Sequence, residues 1–195
     1  WKVRHGGNTL WILGTLTPLP KDFEWLSRDV EAVIGEADEV LGEEGQGFKI
    51  AMGVLDAGRI GIASQAIGIA RAAYEATVEY VKERKAFGAP IGTFQHNKFK
   101  MAEMMTKVEV TEAYIDDCVA AHAEGKLSAV DAAKAKWWAA ETQSKVLDEC
   151  VQLHGGYGYM NEYRVARAWR DARVTKIWAG SNEIMKMLIG RDLGL

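Results

Sequence analysis

Arg84-Lys85-Ala86-Phe87-Gly88 sets two cations and an aromatic ring beside a glycine, at a point where a long apolar pattern ends. A guanidinium there offers a fork that matches the oxygens of a pyrophosphate, and Phe87 can flank a planar ring system. The same cations also complement the dipole at a helix C-terminus, so the segment alone admits both readings. Further on, Gln152-Leu153-His154-Gly155-Gly156-Tyr157-Gly158 carries three glycines within four positions, which is more than a helix cap needs. Such a run permits close approach of a ligand to the main chain or a plain turn, while Gln152 can donate and accept at a ring edge. It is neither a P-loop nor a dinucleotide fingerprint, because no strand precedes it and neither spacing is present. His154 lacks a Ser, Cys or acidic partner in a catalytic order and reads as a packed histidine. Arg170-Asp171, with Arg167 and Arg173, reads as a solvated ion-pair set, and Glu183 as a carboxylate favoured near a helix start.

Helices must position these groups. From Phe48 to about Lys85 the apolar residues Ile50, Val54, Ile60, Ile67, Ala73, Val78 and Val81 fit a long helix buried on several sides. Phe87-Gly88-Ala89-Pro90 breaks it, and a second helix is expected from about Phe94 to Glu124. Ser128 is a predicted N-cap with Asp131 three residues on, opening a third helix that runs to about Leu153. A shorter segment, about Glu162 to Arg173, and a last helix capped by Ser181 and ending near Leu193 complete the pattern. Trp137 and Trp138 are adjacent, so at most one faces the core squarely and the other is a candidate oligomer contact. Short connections between long helices imply an all-α, up-and-down four-helix bundle. Ahead of it, residues 1–40 form an irregular segment with one possible short strand between Thr9 and Leu16, a possible remnant of a β-domain.

The bulk properties narrow the function classes. A chain of 195 residues with a net charge of -3 has no global basic field for nucleic acid. The sequence shows neither a secretory signal nor an apolar run approaching the roughly 20 residues of a membrane span, which points away from secretion. Cys118 and Cys150 have no CxxC spacing or neighbouring histidine, so small core residues are expected and no metal site.

Taken in order, Arg84 to Phe87 with Phe94-Gln95, Gln152 to Gly158, Arg170-Asp171-Ala172 and Ile177 to Ile184 resemble the C-terminal helical domain of the acyl-CoA dehydrogenases. Leu41-Gly42-Glu43-Glu44-Gly45-Gln46-Gly47-Phe48 and Gly58-Arg59-Ile60-Gly61-Ile62-Ala63 extend the likeness, so residues 41–195 form the expected domain. The resemblance implies FAD held at a subunit interface, an acyl-CoA substrate, and electron-transferring flavoprotein as oxidant. It also implies a homodimer or homotetramer in a bacterial cytoplasm or a mitochondrial matrix. Matching positions imply flavin contacts from Arg84, Phe87 and Gln95, from Gln152, Leu153, His154, Gly155 and Gly156, and from Ser181, Asn182 and Glu183. Asp56, Ala57, Gly58, Arg59 and Gly180 match positions at the thioester end of the acyl-CoA. In the family reaction a carboxylate takes the α-proton while the β-hydrogen leaves as hydride to the flavin.

Two departures qualify that expectation. Ala179 stands where most of the family has the glutamate base, and Gly58 stands at the alternative base position; neither can accept a proton. Asp56 and Glu183 are the remaining candidate carboxylates. In addition, residues 1–40 do not resemble the rest of such an enzyme, so weak or no retention of FAD is expected. The alternative readings are a silent assembly or flavin-holding subunit, paired with an active one, or a truncated helical bundle.

Overall fold

The computed structural model describes residues 46–195 and, for the backbone only, residues 2–5 and 8–11. By internal contacts the chain divides into residues 1–55 and 56–195. In the first unit, β1 (Lys2–His5) pairs antiparallel with β2 (Asn8–Trp11), in a register that sets Lys2 opposite Trp11. Strand β2 falls within the apolar stretch where one strand was expected, and β1 is an addition. The remainder of the expected irregular segment, and Leu41 to Gly45 of the family likeness, lie outside the described residues.

Helix α1 (Gly47–Glu83) is followed by α2 (Gln95–Ala123), α3 (Ala129–His154), α4 (Arg164–Ala172) and α5 (Asn182–Asp192). These bounds lie within two residues of most of the sequence expectations, because the breakers are local. Ser128 accepts a hydrogen bond from the Asp131 backbone N–H at 3.0 Å, and its own hydroxyl donates to Asp131 Oδ2 at 2.7 Å. One orphan donor of the first turn of α3 is thereby satisfied. Ser181 caps α5 in the same way, accepting from Ile184 N at 3.4 Å.

Helix α3 is the centre of the bundle and packs against α2, α4 and α5. Its buried face is built from Ala132, Ala135, Ala139, Val146, Leu147 and Cys150, which join Ile60, Ala63, Ala66, Ile67 and Ala70 of α1 in one core. Small side chains line this face on both helices, and the larger Leu147, Met104 and Ile115 are buried in the same core. Cys118 and Cys150 are free and buried, as expected of core thiols.

Helix α1 corrects two expectations. It buries a single stripe from Arg59 through Ala63, Ala66, Ala70 and Ala73 to Val81, and Ile62, Ile69 and Val78 stay half-buried. Its apolar circumference is therefore not enclosed within the described residues. Its length and apolarity also meet the minimum for a membrane-crossing helix, contrary to the expectation that no segment would. The buried alanine and isoleucine stripe belongs to the core of the bundle, which accounts for part of that apolarity. The tryptophan pair behaves as expected: Trp138 is 43% exposed and donates through Nε1 to Thr111 Oγ1 at 3.0 Å, and the two rings meet edge to face at 5.6 Å.

Candidate functional site

The break after α1 is a two-residue hairpin. Lys85-Ala86 (β3) pairs antiparallel with Ala89-Pro90 (β4), and the turn residues Phe87 and Gly88 have φ of 53° and 82°. Positive φ at both central residues matches the twist of a tight hairpin, but a bulky aromatic pays a steric penalty there. Phe87 is 99% exposed, so packing among the described residues does little to compensate for the strain. Among the described residues its ring neighbour is Phe94, edge to face at 6.3 Å.

At the other end of the same region, α3 finishes at His154 and passes into a 3-10 turn, Gly155–Tyr159. Gly158 is required by packing, because a Cβ there would lie 2.3 Å from the Val151 carbonyl oxygen. Residues Gln152 to Tyr157 join Tyr80, Arg84, Ile91 and Met160 around an open cavity of about 570 Å³. The Arg84 guanidinium lies over the Tyr157 ring at 5.3 Å. No ion pair is recorded for it among the described residues, so its fork remains available to an anion.

His154 is among the residues that line this cavity. The imidazole is buried, stacks on Tyr80 at 4.0 Å, and places Nδ1 2.8 Å from the Cys150 carbonyl oxygen. That oxygen only accepts, so Nδ1 carries the proton of the neutral ring. Burial pushes the imidazole pKa down, against the opposing effect of that hydrogen bond. The packed-histidine reading describes its ring.

Gln95 is exposed at the start of α2 and does not line the cavity. Gly180, Ser181, Asn182 and Glu183 gather elsewhere, around a group that sequence reasoning passed over. Lys136 is fully buried on α3, donating to the Gly180 carbonyl oxygen at 2.7 Å and to Asn182 Oδ1 at 3.0 Å. Asn182 donates in turn to Glu141 Oε1 at 3.2 Å, and Lys176 donates to Glu141 Oε2 at 3.1 Å. In the sequence Lys136 stands as a cation inside the alanine stripe Ala132, Ala133, Ala139 and Ala140, a pattern that does not by itself mark it as buried. Ala179 and Gly180 both adopt positive φ, 53° and 90°. Glycine suits 180 because a backbone at φ 90° strains any residue with a Cβ, which would also have to displace the Met185 methyl.

The candidate carboxylates are both committed. Asp56 forms an ion pair with Arg59, whose side chain is buried and whose Nε has no partner among the described residues. Glu183 is exposed in the first turn of α5, where its own backbone N–H and the Ser181 hydroxyl hold its pKa below the usual range. Ala57 and Gly58 are exposed on α1 beside that pair. Arg170 pairs with Asp171 at the surface at 3.3 Å, and Arg167 instead bonds the Asn161 carbonyl oxygen, so the expected arginine set is solvated and only partly paired.

The residues present fit one end of a flavin dinucleotide. An unpaired guanidinium on an aromatic ring suits a pyrophosphate, an open glycine turn suits a polar ring edge, and an exposed left-handed aromatic suits stacking. Comparison with known proteins gives the family. Residues 45–194 match the family model for the acyl-CoA dehydrogenase C-terminal domain, and residues 1–52 match that of the TraB/PrgY/gumN family. The short-chain specific acyl-CoA dehydrogenase of Megasphaera elsdenii is 49% identical over 157 residues, covering 80% of this chain and 41% of that protein. The mitochondrial long-chain specific enzyme of Sus scrofa is 46% identical, covering 80% of this chain and 36% of that protein. A crystal structure of an acyl-CoA dehydrogenase from Geobacillus kaustophilus superposes with a TM-score of 0.78 at 42% identity, covering 80% of this chain and 41% of that one. The chain thus spans about two fifths of the length of the relatives it matches. With a matching family model over most of its length and a helical bundle superposing on a solved relative, this chain belongs to the acyl-CoA dehydrogenase family through its C-terminal domain.

Proposed function

We propose that residues 41–195 are the flavin-holding helical domain of an FAD-dependent acyl-CoA dehydrogenase, unable by itself to remove the substrate α-proton. The observation that carries this reading is the pairing of an available Arg84, stacked on Tyr157, with Ala179 at the loop position where a carboxylate would be needed. Arg84, Phe87 and Gln95, the turn Gln152 to Gly156, and Ser181 to Glu183 are assigned to FAD. Asp56, Ala57, Gly58, Arg59 and Gly180 are assigned to the thioester end of an acyl-CoA. FAD, when bound, supplies a hydride acceptor; this chain supplies the cradle, and its Gly180 N–H is a donor suited to the charge that develops on a thioester oxygen. Asp56 is tied to Arg59, and Glu183, stabilised as the anion, is a weak base.

The cavity groups and the Gly180 loop are separate clusters in one chain, which favours completion of each site by a neighbouring subunit. The assembly is therefore a homodimer or homotetramer, or a hetero-oligomer in which an active partner contributes the base, with electron-transferring flavoprotein as oxidant. Bacterial cytoplasm and mitochondrial matrix are the compartments consistent with such a partner. Ala179 equally supports a purely assembling, flavin-holding subunit.

An anaerobic titration of the FAD-supplemented chain with acyl-CoA thioesters tests the reading. The native chain is expected to bind FAD weakly and to leave it unbleached, whereas Ala179→Glu bleaches it in proportion to thioester. Bleaching by the native chain alone would sink the missing-base assignment, and failure of FAD to bind either form would sink the flavin assignment.

A further inference from the structure

Lys136 has an unusual position for a lysine. Its side chain is fully buried, and its hydrogen-bond acceptors are neutral: a backbone carbonyl and an amide oxygen. A buried ammonium with no carboxylate at hydrogen-bond distance is costly, and it persists only where the groups it binds need it. Those groups are the two sides of a left-handed loop, Gly180 at its tip and Asn182 at the start of α5. We infer that Lys136 is a positioning residue: it holds the Ala179-Gly180 loop in its left-handed conformation, and through Asn182 it fixes the start of α5.

The loop needs such a hold. Ala179 at φ 53° is in a region an alanine leaves when free, and Ile177 and Trp178 beside it are 58% and 41% exposed, so packing on the preceding side is slight. Helix α3 restrains the same stretch at three levels: Thr175 bonded to Gln143 at 2.7 Å, Lys176 and Asn182 to Glu141, and Gly180 and Asn182 to Lys136. Among the described residues, Lys136 alone donates a side-chain hydrogen bond to the left-handed pair, at the Gly180 carbonyl. The charges that face it are Glu183 on α5 and Arg59 on α1, with Glu141 reached through Asn182 and Lys186 lying over the Trp137 ring. Burial dominates these, lowering the ammonium pKa from 10.5 to about 8. Since the unfolded chain keeps the proton to higher pH, this lysine adds stability as pH rises from about 8 towards 10.5, and its buried charge costs stability below that window.

The flavin role of Ser181 to Glu183 rests on the proposed function, whereas the hold on the loop does not, and one experiment separates the two. Amide hydrogen exchange is measured on the full chain and on Lys136→Met, which keeps the length and removes the charge, alongside FAD titrations of both. Exchange at Gly180 to Ile184 is expected to speed up by about tenfold while Leu147 to Val151 in α3 change less than about twofold. The gain in stability between pH 8 and 10.5 should also vanish in the variant. Unchanged loop exchange overturns the inference. A loosened loop with unaltered FAD affinity upholds it and removes Ser181 to Glu183 from the flavin contacts. Should Lys136→Met fail to fold, a carbon-13 titration of the lysine Cε signals in the native chain decides. Gly180 and Asn182 amides that share a midpoint near 8 with one lysine support the hold, and amides that ignore that lysine overturn it.

Discussion

Phe87 combines two features that folding alone does not favour, a left-handed backbone and an almost wholly exposed ring. Asparagine tolerates that conformation far better, so Phe87→Asn is expected to leave stability unchanged or raise it by about 0.5–1 kcal/mol. FAD affinity should fall in the same variant, a trade of function against stability that paired urea and flavin titrations can check. Arg84→Lys probes the fork rather than the charge: a lysine cannot grip two oxygens or stack on Tyr157 in the same way. Its FAD affinity should drop by about tenfold with an unchanged unfolding midpoint, as expected of an exposed side chain. Gly158→Ala should behave in the opposite sense, since a methyl at 2.3 Å from the Val151 oxygen forces the end of α3 to shift. A loss of about 1–3 kcal/mol in urea unfolding is expected there.

Among the elements, α3 matters most because it contributes the cap, the central core face and the clamp on the Gly180 loop. Ser128→Ala removes its N-cap and should cost about 1 kcal/mol, read as a lowered urea midpoint with an unchanged slope. Helix ends were legible because each has a local signal: Ser128 and Ser181 as caps, Gly88 and Gly155 as breaks. The burial of α1 was not. Its apolar residues go most of the way round, and only the neighbouring helices select the Ala63, Ala66 and Ala70 stripe for the core. Lys136 was illegible for a related reason: a lysine in an alanine stripe looks the same whether it snorkels to water or reaches across to a loop.

At the scale of the molecule, stability should depend on acid through His154. Its pKa is lowered in the folded chain, so as pH falls below about 6.5 the unfolded chain takes up the proton first and stability declines. His154→Gln is expected to flatten the unfolding free energy between pH 5 and 7, measured against the native chain by urea titration. Apolar side chains left exposed around the bundle, among them Trp138, Trp169, Trp178, Ile184 and Met187, support the proposed assembly. Light scattering should return at least twice the monomer mass, and a strict monomer at micromolar concentration would contradict it.

Order and spacing of short segments determined the family and the placement of the helices, because caps, breaks and apolar periods act over a few residues. Neither Ala179 nor Gly58 carries a proton acceptor, which needs no coordinates to read, and their assignment to the base positions rests on the resemblance. Tertiary structure alone divided the candidate residues into a cavity around Arg84 and Tyr157 and a separate loop around Lys136. It also turned the His154 ring inward and placed Phe87 in strain. Such outcomes depend on which side chains meet across 44 or 74 residues of chain, as Lys136 meets Gly180 and Tyr80 meets His154. Local pattern carries no information about those distances, which are set by how the packed helices bring the ends of their connections together.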